Sequence, residues 1–207
     1  MGASDHLITT MEQLEALYGE KMPAAVVKEI DHINGSYRQL IAAAPFVAVA
    51  TSGPEGLDCS PKGDPRGFVH ILDEKTIAIP DRPGNNRIDG FRNIVRDPRI
   101  ALLFLIPGVG ETLRVNGRAA ISIDPELMQS FVVNGKLPRC VLIVHVESVF
   151  FHCSKAIVRS KLWDAETKID RKSLPSTGTI IAELSKGRLG GDDYDRAMPE
   201  RIKAQLY

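Results

Sequence analysis

Pro80-Asp81-Arg82-Pro83-Gly84-Asn85-Asn86-Arg87 separates the strand-like run Thr76-Ile77-Ala78-Ile79 from the helix-like run Ile88-Asp89-Gly90-Phe91-Arg92-Asn93-Ile94-Val95-Arg96. A helix start offers free backbone N–H groups and the positive end of the macrodipole. Two asparagines and two arginines placed there make a cradle for a phosphate. Gly84 lets the backbone come close to an anion. Taken alone, the same residues also describe an Asn-capped helix with solvated arginines. What surrounds them decides between the two.

Upstream, residues 9–43 read as helices. Thr9 and Glu12 fit a capping box, Leu14 and Leu17 follow, and Gly19 is a stop. Further helices are expected from Pro23 to Ile33 and from Ser36 to Ala44, ending before Pro45. The pattern then turns to strands: Phe46 to Thr51, Leu57 to Ser60, Phe68 to Leu72 and Thr76 to Ile79. Downstream, Asp97-Pro98 ends the helix, and Arg99 to Ile106 reads as a fully buried strand. Thr112 to Ile123 is a long strand with a bulge or bend at Gly117. Asp124 caps a short helix from Pro125 to Val133, Cys140 to Phe151 is the last strand, and a helix runs from Ser154 to Leu162. About seven closely spaced strands with few helices between them predict an antiparallel barrel or sandwich, mainly β within an α+β class. We expect one domain over residues 1–163, with helices in 1–44, and a polar extension over 164–207 packed on it. Two helices are expected in that extension, Gly178–Lys186 and Pro199–Leu206.

Composition narrows the function. The 207 residues are 43% hydrophobic and 25% charged, with 26 basic and 26 acidic side chains. No net field draws the chain to nucleic acid or to an anionic membrane. No apolar run is long enough to cross a bilayer. Met1 to Gly19 lacks a basic stretch followed by an apolar one, so no signal peptide is expected. Cys59, Cys140 and Cys153 are odd in number and far apart, which suits reduced thiols in a cytoplasm. Cys140, His145, His152 and Cys153 match no common zinc spacing, and 145 and 152 fall on opposite faces of a straight strand, so no metal site is expected.

Three further segments carry polar chemistry. In Ser60-Pro61-Lys62-Gly63-Asp64, Pro61 ends a strand's hydrogen bonding and Lys62 is held at the strand end, beside unsatisfied N–H groups that a flat ring with edge carbonyls could use. In Glu111 to Arg118, Thr112, Arg114, Asn116 and Arg118 share a face that is either water-exposed or lines a site. In Ser154 to Trp163, Lys155 and Arg159 stand at i, i+4, either as a solvated face or as a second anion clamp with Trp163 stacking beside it. No Ser–His–acid order, paired-carboxylate motif, Walker loop or G-x-G-x-x-G occurs, which removes hydrolase, kinase and Rossmann readings.

In order along the chain stand S-P-K-G-D-P-R-G-F-V, D-R-P-G-N-N-R-I-D-G-F-R-N-I, D-P-R-I-A-L-L-F-L-I-P-G, E-T-L-R-V-N-G-R-A and F-H-C-S-K-A-I-V-R-S-K-L-W. This series resembles the pyridoxamine 5'-phosphate oxidase-like FMN-binding family, and within it a bacterial subgroup of unassigned substrate. The resemblance covers roughly residues 25–163. It implies an FMN-binding split β-barrel that dimerises, with two FMN sites at the interface. Ser60, Pro61, Lys62, Gly63 and Asp64 would lie along the isoalloxazine. Asn85, Asn86 and Arg87 would hold the phosphate, with Arg82 nearby and Arg92 one turn further on. Glu111, Thr112, Arg114, Lys155, Arg159 and Trp163 of the partner would close the ring site. The implied activity is an FMN-dependent oxidoreductase acting on a small molecule, with Lys62 or a partner arginine placing positive charge near N1–C2=O of the ring. No catalytic proton-transfer residue is assigned. The alternatives are a non-catalytic flavin- or haem-binding protein and a deazaflavin- or nicotinamide-dependent reductase. The chain also departs from pyridoxamine phosphate oxidases. Their helix after the long strand bears an arginine for the substrate phosphate, and they end in Arg-x-His and Arg-Leu-x-Pro elements. Here that helix is Pro125-Glu126-Leu127-Met128-Gln129-Ser130-Phe131, and the chain runs to Gln205-Leu206-Tyr207. The vitamin B6 substrate site is therefore not expected to carry over.

Overall fold

The structure, a computed structural model, describes residues 6–207. Three helices open it: α1 (Met11–Tyr18), α2 (Pro23–Val27) and α3 (Gly35–Ala43). The cap of α1 is shifted by one residue from the expected Thr9/Glu12 pair. Thr10 Oγ1 accepts from Gln13 N, and Gln13 Oε1 accepts from Thr10 N, because Gln13 rather than Glu12 occupies the third helical position. Asn34 caps α3 by accepting from Tyr37 N at 2.9 Å. That cap directs Tyr37 and Ile41 into the core.

The strands are β1 (Phe46–Gly53), β2 (Gly56–Gly63), β3 (His70–Ile71), β4 (Thr76–Asp81), β5 (Arg99–Leu105), β6 (Thr112–Ser122) and β7 (Cys140–His152). They form one antiparallel sheet in the order β2-β1-β5-β6-β7-β4-β3. The sheet is mainly β architecture of the α+β class, a split barrel: β2 and β3 are free edges, and the sheet curls until β2 and the end of β4 face each other. Helix α4 (Asp89–Arg96) covers β1 and β2, α5 (Pro125–Gln129) precedes β7, and α6 (Lys155–Ser160) follows it. Asp124 caps α5 by accepting from Leu127 N at 2.8 Å. Both of these helices are shorter than their sequence patterns suggested.

One apolar face of the sheet closes on itself. Val47, Ile79, Leu102, Phe104, Val115 and Val144 are buried there, with Ile41 from α3 and Ile94 from α4. Strand β5 alternates rather than being buried on both sides. Ile100, Leu102 and Phe104 face inward, while Ala101, Leu103 and Leu105 remain half-exposed, as in an antiparallel sheet with one packed face. β4 has cover on both sides, because Ala78 lies under Phe131 and Val141 in a small second cluster with Leu127 and Met128 of α5.

Gly117 marks a bulge, as its place in the long strand suggested. The pairing steps from Asn116↔Ser148 to Gly117↔Val146, so the unpaired extra residue is Glu147 on β7. A Cβ on Gly117 would stand 2.0 Å from the His145 carbonyl oxygen. The bulge also reverses side-chain parity along β7, with Val146 and Val149 both facing inward. His145 and His152 therefore share the outer face rather than lying on opposite faces, but they are paired with Arg118 and Thr112, well separated along β6. Among the described residues no cluster of three or more His, Cys, Asp or Glu side chains is placed to hold a metal.

The extension holds 3-10 turns at Ala165–Thr167 and Arg171–Ser173, then α7 (Thr177–Leu184) and α8 (Gly191–Gln205). Asp195 of α8 accepts from Gly178 N at 2.7 Å and ties the two helices together. Pro199 lies inside α8 instead of starting it. Gly190, with φ of 87°, allows the turn between them, where a Cβ would meet the Gly178 carbonyl at 2.4 Å.

Candidate functional site

A cavity of about 430 Å³ sits at the seam where the barrel fails to close. One wall is β2, from Asp58 to Gly63, continuing to Asp64. The opposite wall is the end of β4 and the loop after it, Pro80 to Ile88, and the floor includes Phe68, Phe91 and Leu142.

The walls are not the elements that local sequence suggested. β2 does not stop at Ser60 but runs to Gly63, with Lys62 opposite Val47 and Pro61 opposite Ala48. Pro61 is tolerated because β2 is an edge strand. β4 likewise passes through Pro80 to Asp81, held by pairing with Val141 and Cys140 of β7. The segment expected to cradle a phosphate is a loop rather than a helix start. Helix α4 begins at Asp89, and Ile88 before it is left-handed with φ of 52°, an uncommon setting for a β-branched residue. Asn86 is left-handed too, with φ of 61°. The Asn85 side chain accepts from Arg87 N at 3.1 Å, which folds the loop back on itself.

Ion pairs span the seam. Lys62 Nζ lies 2.5 Å from Asp81 Oδ1 and 4.9 Å from the centre of the Phe91 ring. Arg82 Nε donates to Asp64 Oδ2 at 2.8 Å, and its Nη1 donates to the Phe131 carbonyl at 2.8 Å. The Asp64 side chain is only 4% exposed. Tyr207 OH donates to its other oxygen at 2.6 Å. This hydrogen bond, followed by burial and the Asp64 charge, raises the Tyr207 phenol above its ordinary value. At the open side of the cavity, Arg87 pairs with Asp89 at 2.7 Å. Ser60 donates to Asp58 at 2.8 Å. Cys140, next to Asp81 in the pairing, is pushed up to about 11 by burial and then by the Asp81 charge, so its thiol stays protonated at neutral pH.

The residues expected at the site divide into two groups. Ser60, Pro61, Lys62, Gly63, Asp64, Arg82, Asn85, Asn86 and Arg87 all line the cavity. Arg92 does not: it is exposed on α4, where its charge acts on Glu55. Glu111, Thr112, Arg114, Lys155, Arg159 and Trp163 also lie away from the cavity of their own chain. Arg114 faces outward from β6, 5.3 Å from the Phe150 ring. Lys155 and Arg159 are exposed on α6, and Trp163 Nε1 donates to the Val109 carbonyl at 2.8 Å.

The structure adds residues that sequence reasoning missed. Arg139 lines the cavity, is exposed, and has no carboxylate partner among the described residues, unlike Lys62, Arg82 and Arg87. It reaches the site only because Arg139 N donates to the Asp81 carbonyl at the β4–β7 junction. Nothing local in Pro138-Arg139-Cys140 signals that. His152 on the outer face is a second unforeseen feature. Its Nε2 is buried without a partner, and burial, then Arg114 and Lys28, hold its pKa below the ordinary value.

A family model described as pyridoxamine 5'-phosphate oxidase matches residues 33–153. The chain belongs to that family. The matched segment runs from just before α3 through β7 and includes every residue of the cavity. The pyridoxamine 5'-phosphate oxidase family comprises flavin-binding split barrels. No curated protein matches the chain. Solved structures do. HupZ of Group A Streptococcus is 24% identical over 59% of this chain and 95% of its own, with a TM-score of 0.47. General Stress Protein 26 of Bacillus anthracis str. Sterne is 15% identical over 55% and 88%, with a TM-score of 0.42. A Clostridium acetobutylicum protein related to general stress protein 26 of B. subtilis, of the pyridoxinephosphate oxidase family, is 14% identical over 57% and 86%, with a TM-score of 0.42. All three are too distant to transfer a residue role.

Proposed function

We propose that this family member binds FMN at the seam, as a homodimer, and serves as an oxidoreductase on a small molecule in the cytoplasm. The observation that carries the reading is the pairing of walls: an edge strand beside an apolar floor, and across from it a basic, asparagine-rich loop. The residues fit the cofactor. A cavity of about 430 Å³ lies within the range for small-ligand sites. The backbone of Pro61 to Asp64 suits the polar edge of a flat ring, and Asn85 to Arg87 with Arg139 suit one terminal phosphate. Bound FMN would supply hydride acceptance and return at its ring.

The chain's own groups would orient and polarise. Lys62 sits over Phe91 with Asp81 holding its ammonium, a fixed positive charge in a partly water-excluded wall. Arg82, clamped by Asp64 and the Phe131 carbonyl, fixes the start of the basic loop. Phosphate would recruit Arg87 from Asp89, an exposed pair that is weak in water. The outward group of Glu111, Thr112, Arg114, Lys155, Arg159 and Trp163 can act only on a second copy of the site, so the reading requires a dimer. Half-exposed Ala101, Leu103 and Leu105 on β5 offer apolar surface for it. No helix among the described residues is long and apolar enough to cross a membrane.

Reconstitution with mass spectrometry of the released ligand, together with sedimentation, tests this. We expect about one FMN per chain on a dimer, with no preference for FAD. A haem band in the absorbance spectrum, a preference for FAD, or a flavin-loaded monomer would each overturn part of the reading. Arg87→Ala is expected to weaken FMN by about 1.5–3 kcal/mol, the scale of a charge-assisted hydrogen bond. Riboflavin, lacking phosphate, should bind nearly unchanged in the same fluorescence titration. Equal losses for both ligands would move Arg87 from ligand binding to support of the loop.

A further inference from the structure

Tyr207 lies outside the segment that matches the family, yet it bonds to a wall of the cavity. Its hydroxyl donates to Asp64, its ring lies 5.4 Å from the Arg82 guanidinium, and its backbone oxygen accepts from Lys136 Nζ at 2.7 Å. Among the described residues, these are the hydrogen bonds that join residues 168–207 to the barrel. Helices α7 and α8 pack chiefly on each other. Residues 168–207 are thus hydrogen-bonded to the barrel through one residue, Tyr207, which meets the Asp64–Arg82 pair with its hydroxyl and Lys136 with its backbone.

We propose that Tyr207 is a positioning residue of the flavin site, holding the Asp64 carboxylate and, through it, Arg82, so that the C-terminal extension tunes how long a ligand stays. This rests on the FMN reading of the cavity. A carboxylate as enclosed as Asp64 needs donors on both oxygens. Arg82 serves Oδ2 and Tyr207 serves Oδ1. Without the phenol, Oδ1 loses its donor, and the Asp64–Arg82 pair can turn away from its place on the wall. In the FMN reading Asp64 stands on the β2 wall assigned to the ring, and its contact with Arg82 is at the start of the basic loop, five residues ahead of Arg87. Loss of the phenol should therefore affect FMN and riboflavin alike, in contrast to Arg87.

Coupling between two sites is reciprocal, so a phenol that strengthens flavin binding must itself be held more firmly when flavin is bound. That supplies a readout that a merely structural contact would not move. In wild-type protein, nitration of Tyr207 by tetranitromethane is followed by mass spectrometry, with Tyr18, 77% exposed, as the internal reference. We expect saturating FMN to slow nitration of Tyr207 about fivefold relative to Tyr18, the weight of one hydrogen bond. Tyr207→Phe, which keeps the ring and removes the hydroxyl, should speed dissociation of both FMN and riboflavin by about the same fivefold. Lys136→Met, on an exposed side chain, should act in the same direction by loosening the backbone anchor. If FMN binds but neither Tyr207 nitration nor the dissociation rates respond, Tyr207 only fastens the extension and the proposal fails while the FMN reading stands. If wild-type protein binds no flavin, both fall together.

Discussion

Flavin-loaded protein given pyridoxamine 5'-phosphate should form pyridoxal phosphate with kcat/KM below about 10² M⁻¹s⁻¹, at least a hundredfold under the lower end for ordinary enzymes. The family resemblance places the substrate-phosphate arginine on the helix after the long strand. In this chain that helix is α5, which carries no basic residue and turns Leu127 and Met128 onto Ala78, Phe131 and Val141. The extension offers Lys168, Arg171 and Lys172 as replacements, but none of them lines the cavity. Arg171 instead donates to the Leu174 and Pro175 carbonyls. Each missing charge-assisted bond to a phosphate removes about 1.5–3 kcal/mol. Two of them reduce discrimination in favour of this substrate by orders of magnitude. Arg139 is the one lining cation without a carboxylate partner among the described residues, and a single guanidinium does not restore the set. The measurement is product formation or oxygen consumption. A value above about 10⁴ M⁻¹s⁻¹ would show that Arg139, or a group of the partner chain, does restore it.

Gly117→Ala is expected to destabilise the fold by about 3 kcal/mol or more, the upper range for forced overpacking. The new Cβ would stand 2.0 Å from the His145 carbonyl oxygen, a backbone atom fixed by pairing on both sides of the Glu147 bulge. For a chain of this size the melting midpoint should fall by about 6–12 °C. Denaturant melts of the ligand-free protein check this without reference to activity. A loss under about 1 kcal/mol would mean that the bulge migrates and absorbs the methyl group, and that the β6–β7 register is softer than it looks.

The sequence conveyed the mainly β class, the strand count, the Asp124 cap and the Gly117 irregularity, because alternation and local turn chemistry encode them directly. It also marked nine residues that do line the cavity, Ser60 to Asp64, Arg82 and Asn85 to Arg87. It misplaced the ends of their elements. Prolines at 61 and 80 look like strand terminators, but a sheet edge tolerates the first, and the β7 pairing carries β4 through the second. Asn85 looks like a helix cap, but Ile88 and Asn86 in left-handed geometry delay the helix to Asp89. Arg139 and Tyr207 were invisible for a different reason. Their roles depend on the β4–β7 junction and on a partner 143 residues away in the chain, and no local pattern records either.

Pro61 has a consequence for how the protein behaves in a crowd. β2 is a free sheet edge, and the same edge forms one wall of the cavity. Free edges invite strands from other molecules, and a strand added here would lie along the mouth of the cavity. Proline has no N–H to offer an incoming strand, and its ring breaks the ladder such a strand would need. One residue in the wall therefore protects the opening from being zipped shut by a neighbouring chain, leaving it free for a small molecule.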